Sequence, residues 1–336
     1  MSETLSRVSR YWPSVTLVAI LACFFGAIAP RYIEQYRIGF SSATGIYCCF
    51  VLMLALVVAP GMRAPRGWIR ASLPTKGAHN FVKCALIMSF WCLPYLTYAA
   101  GTGDWRWTAS FRLIGSGLPL LVIYVLFPVR ELSRLSWQDL AAAAWLATVL
   151  LFHQLKGIWN VPANLDFMAR LFLIGIASWT WTFIRIVPEL GYEFSFSAKT
   201  FGVAGLNFVL FAAIAIPASL LMGFTHWNPR AGGTAAFFIG FVEIFLFIAL
   251  LEELFFRGFL QTLISASLHS TWKGQAVVSC LFGLFHILHD PFPNWKYVFL
   301  ATVAGWFYGS AFVKAGNLMA STLTHALVDT VWRNFF

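Results

Sequence analysis

Three short stretches of this 336-residue chain hold side chains able to move protons: Glu252-Glu253 followed by Arg257, Phe282 followed by His286, and His325 followed by Asp329. Glu253 and Arg257 lie four residues apart with the acid first, the orientation that favours an ion pair within one helix. Glu252 is turned about 100° from that pair. One carboxylate is then neutralised in place, and its neighbour is the one able to titrate or act as a base. His325 and Asp329, again four apart, share a helix face, so the acid can accept an imidazole N–H, fix the tautomer and leave the other nitrogen aimed into the bundle. A carboxylate base and two histidines on three nearby helices can activate water and stabilise an oxyanion.

Each feature also has a plain structural reading. A lone intramembrane histidine is most often a hydrogen-bond donor between helices, and a Glu–Arg pair at this spacing is usually only a neutralised pair. The conjunction of all three stretches favours chemistry. Glu243, nine residues before Glu252, reads as a polar contact between helices or a residue on a substrate path. His289 and Asp290, next to Pro291 and Pro293, read as interfacial or capping residues.

The elements that must position these groups are membrane helices. The chain is 60% hydrophobic and 11% charged with a mean hydropathy of +0.75, outside the usual balance of a soluble domain. Apolar runs near 12–30, 40–60, 84–100, 113–128, 138–155, 170–186, 200–223, 235–256, 275–289, 297–313 and 318–332 approach the ~20 residues needed to cross the hydrocarbon. The expected fold is therefore an all-α polytopic bundle of about 8–11 transmembrane helices. Pro94, Pro119 and Pro217 interrupt some runs. A charge at a helix centre in the bilayer costs roughly 2.5–3.5 kcal/mol on insertion scales, so the acids and the arginine of LEELFFRGFL, residues 251–260, call for a function. The run Thr234 to Ile264 would be about 45 Å long as one helix, too long for the hydrocarbon alone. Its charges then lie toward one membrane face.

The net charge of +10 comes from loop residues with no stripe suited to nucleic acid. It fits the positive-inside bias and contact with anionic membrane lipid. Arg63, Arg66, Arg70, Lys76 and Lys83 mark the loop after the second run as the cytoplasmic candidate, with the N-terminus inside. Residues 1–11 precede a first span, ending at Ala29-Pro30, that reads as a retained anchor. The six cysteines lie in apolar runs without metal-ligand spacing and imply neither disulfides nor zinc. Residues 1–160 keep their charges almost entirely in loops, as scaffold helices do; from about 165 onward ionisable groups enter the spans. Between them 156–169 reads as a loop. The expected domains are an N-terminal helical region, 1–160, of unassigned role, and a site-bearing domain, 165–336.

Taken in order on successive helices, Glu252-Glu253-x-x-x-Arg257, Phe282-x-x-x-His286 and His325-x-x-x-Asp329 resemble the EExxxR, FxxxH and HxxxN/D motifs of the CPBP family, the CAAX-protease and bacteriocin-processing (Abi) intramembrane endopeptidases. The resemblance covers roughly residues 165–336. It implies that Glu252 activates the attacking water with help from His286, that Glu253 is held by Arg257 in a supporting role, and that His325 with Asp329 polarises the scissile carbonyl. Prenyl-CAAX enzymes carry Asn at the last position; an ionised Asp329 cannot donate a hydrogen bond to an oxyanion. The chain lacks an HExxH helix, and the resemblance favours a glutamate mechanism without a cofactor. The alternative is zinc held by Glu252, His286 and His325.

The resemblance further implies a hydrophobic or lipidated protein or peptide substrate, and an integral protein of a bacterial inner membrane. Two other readings compete: a non-catalytic scaffold or immunity protein of the same fold, and a proton-coupled transporter using Glu252, His286 and Asp329 as a relay. The concentration of charges in the C-terminal half, without inverted repeats, disfavours the transporter.

Overall fold

The computed structural model describes residues 12–73, 79–230 and 232–336. Residues 1–11 and Lys76 lie outside the described residues. The described chain is helical throughout, without strands, as expected of a chain that must satisfy its backbone polar groups within lipid. Twelve helices follow one another: α1 (Trp12–Gln35), α2 (Phe40–Val58), α3 (Arg63–Ser72), α4 (His79–Thr102), α5 (Trp107–Leu126), α6 (Trp137–Leu151), α7 (Phe167–Ile184), α8 (Ala198–Leu221), α9 (Gly233–Ser267), α10 (Thr271–Phe285), α11 (Trp295–Ala315) and α12 (Leu318–Phe335). Among the described residues, eight are long and apolar enough to cross a membrane: α1, α2, α4, α5, α7, α8, α9 and α11. The runs expected at 138–155, 275–289 and 318–332 become α6, α10 and α12, outside that set. The protein is an integral membrane helix bundle.

The prolines do not break the helices. Pro94 lies inside α4, Pro119 inside α5 and Pro217 inside α8. The first span likewise continues through Pro30 to Gln35 instead of ending at Ala29-Pro30. A proline removes one N–H, and membrane helices tolerate that loss when neighbouring groups serve the freed carbonyls.

The chain forms two compact units. The first comprises residues 1–130 and 136–186, the second 131–135 and 187–336. In the first, α2 and α4 meet backbone to backbone: a Cβ on Gly45 would lie 2.6 Å from the Cα of Gly101. Ser41 Oγ also donates to the Gly101 carbonyl at 3.0 Å. Helix α7, which the sequence reading grouped with the C-terminal helices, packs in this unit. It brings Arg185 to Asp139 of α6 in a fully buried two-pronged pair, with contacts of 2.7 and 2.9 Å. Tyr124 donates to the same carboxylate at 3.1 Å, and Asp139 closes a capping box with Ser136 at the start of α6. The first unit thus carries a buried charge pair between Asp139, in the first turn of α6, and Arg185, from the part of the chain expected to bring ionisable groups into its spans. A paired and hydrogen-bonded carboxylate is the form in which burial is tolerated.

In the second unit, α9 to α12 pack around one another with α8 against α11 and α12. The segment preceding α8 is tied to them: Leu318 N–H donates to the Gly191 carbonyl at 2.9 Å, and Asn317 Nδ2 donates to the Ser195 carbonyl at 2.9 Å. Residues 131–135 are anchored to the end of α9, where Leu135 N–H donates to Ser267 Oγ at 2.9 Å. Beyond α12, Asn228 and Arg230 give their N–H groups to the carbonyls of Phe335 and Asn334, each at 2.8 Å. That loop supplies the donors that the last helical turn lacks.

Candidate active site

Helix α9 is not a regular α-helix where its charges lie. Wider turns with i→i+5 bonding occupy Phe245–Ala249 and Leu254–Gln261 and flank the short α segment Leu250–Glu253. Such turns are rare and concentrate at functional sites. Glu253 and Arg257 face inward from this region with both side chains 0% exposed, Arg257 Nε lying 3.3 Å from Glu253 Oε2. The angle makes this an ion pair and not an aligned hydrogen bond. The pairing expected from the four-residue spacing is present.

Arg257 has further support. Its Nη2 donates to the Gly305 carbonyl of α11 at 3.1 Å. The guanidinium carbon sits 4.5 Å from the Phe282 ring centre, 5.4 Å from that of Tyr308 and 5.7 Å from that of Phe256. A desolvated cation over an aromatic face gains about 2 kcal/mol, which offsets part of the cost of burying the charge. Gly305 makes the approach possible: a Cβ there would lie 3.1 Å from Ser279 Cα and 3.3 Å from Arg257 Nη2.

The other oxygen of Glu253 reaches across to α12. Its Oε1 lies 2.9 Å from His325 Nδ1, so Nδ1–H donates to a carboxylate already held by Arg257. His325 Nε2 lies 3.4 Å from Asp329 Oδ2 and 3.9 Å from Glu252 Oε2. The spacing of His325 and Asp329 suggested Asp329 as the group that fixes the tautomer; the shorter contact is with Glu253, from a helix 72 positions earlier in the chain. Glu252 is turned from the Glu253–Arg257 pair and approaches the second nitrogen of the same ring. With carboxylate oxygens at both nitrogens, an imidazolium with two donors satisfies the site.

Exposure grades across this cluster. The side chains of Glu253 and Arg257 are sealed, that of His325 is 4% exposed, and those of Glu252 and Asp329 are 30% and 37% exposed. The ring of His325 is fixed from two sides. Tyr308 stacks on it at 4.5 Å between centres and 15° between planes, and Phe282 meets it edge-on at 5.8 Å.

His286, just past α10, joins the cluster through aromatic contacts. Phe282 touches it at 4.8 Å as well as touching His325, and Tyr297 of α11 lies 4.7 Å from it. Its Nδ1 is 2.8 Å from the Phe282 carbonyl, which makes Nδ1 the donor and leaves Nε2 as the acceptor. His289, expected as an interfacial residue, is exposed and stacks on His286 at 5.6 Å. Glu243 pairs with Arg333 near the end of α12 at 3.7 Å.

The sequence reading missed Tyr308, Tyr297 and Gly305. Gly305 and Gly309 form a Gly-x-x-x-Gly spacing on α11, a known signal for close helix contact in membranes, and it marks the face that carries Tyr308. Tyr297 gave no such signal. Among the described residues, no group of three or more His, Cys, Asp or Glu side chains is arranged to hold a metal ion; Glu252, His286 and His325 do not converge as ligands.

No curated protein and no solved structure matches the chain. Residues 234–331 match the family model of the Rce1-like type II CAAX prenyl endopeptidases. The match starts at the second residue of α9 and ends within α12, and so contains Glu252, Glu253, Arg257, His286, His325 and Asp329. Over α9 to α12 the chain is therefore similar to the CAAX-protease family that its three motifs resemble.

Proposed function

We propose that the protein is an intramembrane endopeptidase that hydrolyses a peptide bond in a hydrophobic or lipidated protein or peptide, in the inner membrane of a bacterium. The observation that carries this reading is the convergence of Glu252, Glu253 and Asp329 on His325 within a segment similar to an endopeptidase family.

In this reading Glu252, the more exposed of the two glutamates, accepts a proton from water as the water oxygen attacks the scissile carbonyl carbon. His325, held at Nδ1 by Glu253, presents its Nε2–H to the oxyanion that forms. On collapse of the tetrahedral intermediate the C–N bond breaks, and the proton on Glu252 passes to the leaving amine. His286 offers Nε2 to orient the water. Arg257 holds Glu253 in place. The carboxylates and imidazoles suffice for each proton transfer, so no metal is assigned to the reaction.

The test compares the membrane peptide inventory of cells carrying the wild-type protein with that of cells carrying Glu252→Ala at equal expression. A product present only with the wild type identifies a peptidase and its cut site. Identical inventories over several growth conditions would instead favour a non-catalytic scaffold.

A further inference from the structure

Eight residues beyond His325, on the same helix, Arg333 presents a guanidinium whose side chain is 52% exposed. Its carboxylate neighbour is Glu243 of α9, 3.7 Å away and 32% exposed, too far for a hydrogen bond. The guanidinium also lies over α9 at Gly240, where a Cβ would sit 3.9 Å from Arg333 Nη1. The loop that carries the exposed Arg230 meets the same helix end through its backbone, the Arg230 N–H donating to the carbonyl of Asn334 at 2.8 Å. This end of α12 thus holds an exposed guanidinium beside one loosely held acid.

The separation from the site has a chemical meaning if the proposed endopeptidase acts on a C-terminal Cys-a-a-X box, in which three residues follow the cysteine. Cleavage after that cysteine leaves a three-residue stretch between the scissile bond and the chain end. Extended, it spans roughly 10 Å at about 3.3 Å per residue. From His325 to Arg333 the rise along α12 is about 12 Å. The two lengths agree to within a side chain's reach.

We propose that Arg333 binds the C-terminal carboxylate of the substrate and so sets the cut three residues from the end. A guanidinium suits this task because its planar fork matches a carboxylate with two parallel hydrogen bonds. Glu243 holds the fork loosely until the substrate carboxylate displaces it. This inference rests on the endopeptidase reading for its catalytic consequence, and the carboxylate site has its own readout in binding.

The experiment uses the full-length protein in proteoliposomes and two farnesylated peptides with the same C-terminal Cys-aliphatic-aliphatic-Met box, one ending in a free carboxylate and the other in a carboxamide. The wild type is expected to prefer the free acid in kcat/KM by roughly tenfold or more, the scale of a charge-assisted hydrogen bond. Arg333→Gln is expected to bring that ratio close to one, Arg333→Lys to keep part of it, and Glu243→Gln to raise it by removing the competing acid. A wild type indifferent to amidation, or an Arg333→Gln variant with the preference intact, overturns the carboxylate site. Equilibrium binding of the same peptides, read by fluorescence anisotropy, separates this failure from that of the enzyme. Acid-selective binding that depends on Arg333 but leads to no cleavage overturns the endopeptidase and keeps the site; equal binding of acid and amide overturns the site.

Discussion

Glu253 joins Arg257 to His325: one carboxylate oxygen lies 3.3 Å from the guanidinium and the other 2.9 Å from the imidazole Nδ1, with the acid and the arginine both fully buried. Two helices distant in sequence are thereby linked through a single side chain, and the link fixes both the position and the donor face of His325.

Removing either end of that link is expected to destabilise the fold as well as the site. Arg257→Ala leaves Glu253 as a buried carboxylate with only a histidine beside it, and Glu253→Ala leaves the guanidinium with ring faces and one carbonyl. Breaking a buried pair by deleting one partner costs about 3–5 kcal/mol. Thermal unfolding in detergent should show a clear fall in Tm for each single variant. The double variant should cost less than the sum of the two, because neither charge is then left alone. Wild-type stability in both single variants would count against the ion pair.

Tyr308 is expected to matter through its ring. It stacks nearly parallel on His325 and also borders the Arg257 guanidinium, so it restricts the imidazole plane without contributing a proton to the proposed chemistry. Tyr308→Phe should keep most of kcat, whereas Tyr308→Leu should lower kcat about tenfold or more with a smaller change in KM, as expected when orientation is lost. Steady-state kinetics of the two variants on one substrate check this. A Phe variant as impaired as the Leu variant would point to the hydroxyl instead.

The two halves of the site differ in how far they could be read from sequence. The Glu253–Arg257 pair was legible because it is a property of one helix, in which spacing sets proximity. The Glu253–His325 contact was not, since it depends on how α9 and α12 dock. Spacing within α12 directed attention to Asp329, which does approach His325, but at 3.4 Å. Glu252 and Glu253 both lie in the regular α segment Leu250–Glu253, so the rotation of about 100° per residue separates a sealed carboxylate from one that is 30% exposed; the approach of Glu252 to His325 depends, like the Glu253 contact, on how the helices dock. The membrane character of the fold followed from composition, whereas the buried Asp139–Arg185 pair depends on a tertiary contact that no local pattern reveals.

Chelation is expected to leave activity intact. The proposed steps use carboxylates and imidazoles alone, and Glu252, His286 and His325 are not arranged as a ligand set among the described residues. Ligands to zinc must all lie about 2.0–2.2 Å from a common centre for nitrogen and oxygen donors. Treatment of the reconstituted enzyme with 1,10-phenanthroline, followed by removal of the chelator, should change kcat by less than about twofold. Loss of activity that zinc restores would replace the glutamate mechanism with a metal-dependent one.

Asp329→Asn separates two roles for the last motif residue. As an aspartate, Asp329 competes with Glu252 for the Nε2 side of His325, at 3.4 Å against 3.9 Å. As an asparagine it would keep an acceptor oxygen for that contact and add an N–H donor of the kind an oxyanion needs. The side chain is 37% exposed, so the change removes a charge at the rim and leaves the sealed Glu253–Arg257 pair untouched. The variant should therefore fold as the wild type does and retain at least about a tenth of its kcat, within the range that loss of one modest electrostatic contact can explain. Its activity should also depend less on salt, because one exposed charge has gone. Parallel measurement of Tm and kcat decides the matter. Complete inactivity with unchanged Tm would mean that the carboxylate charge itself takes part in the reaction, and would break the equivalence with relatives that carry asparagine at this position.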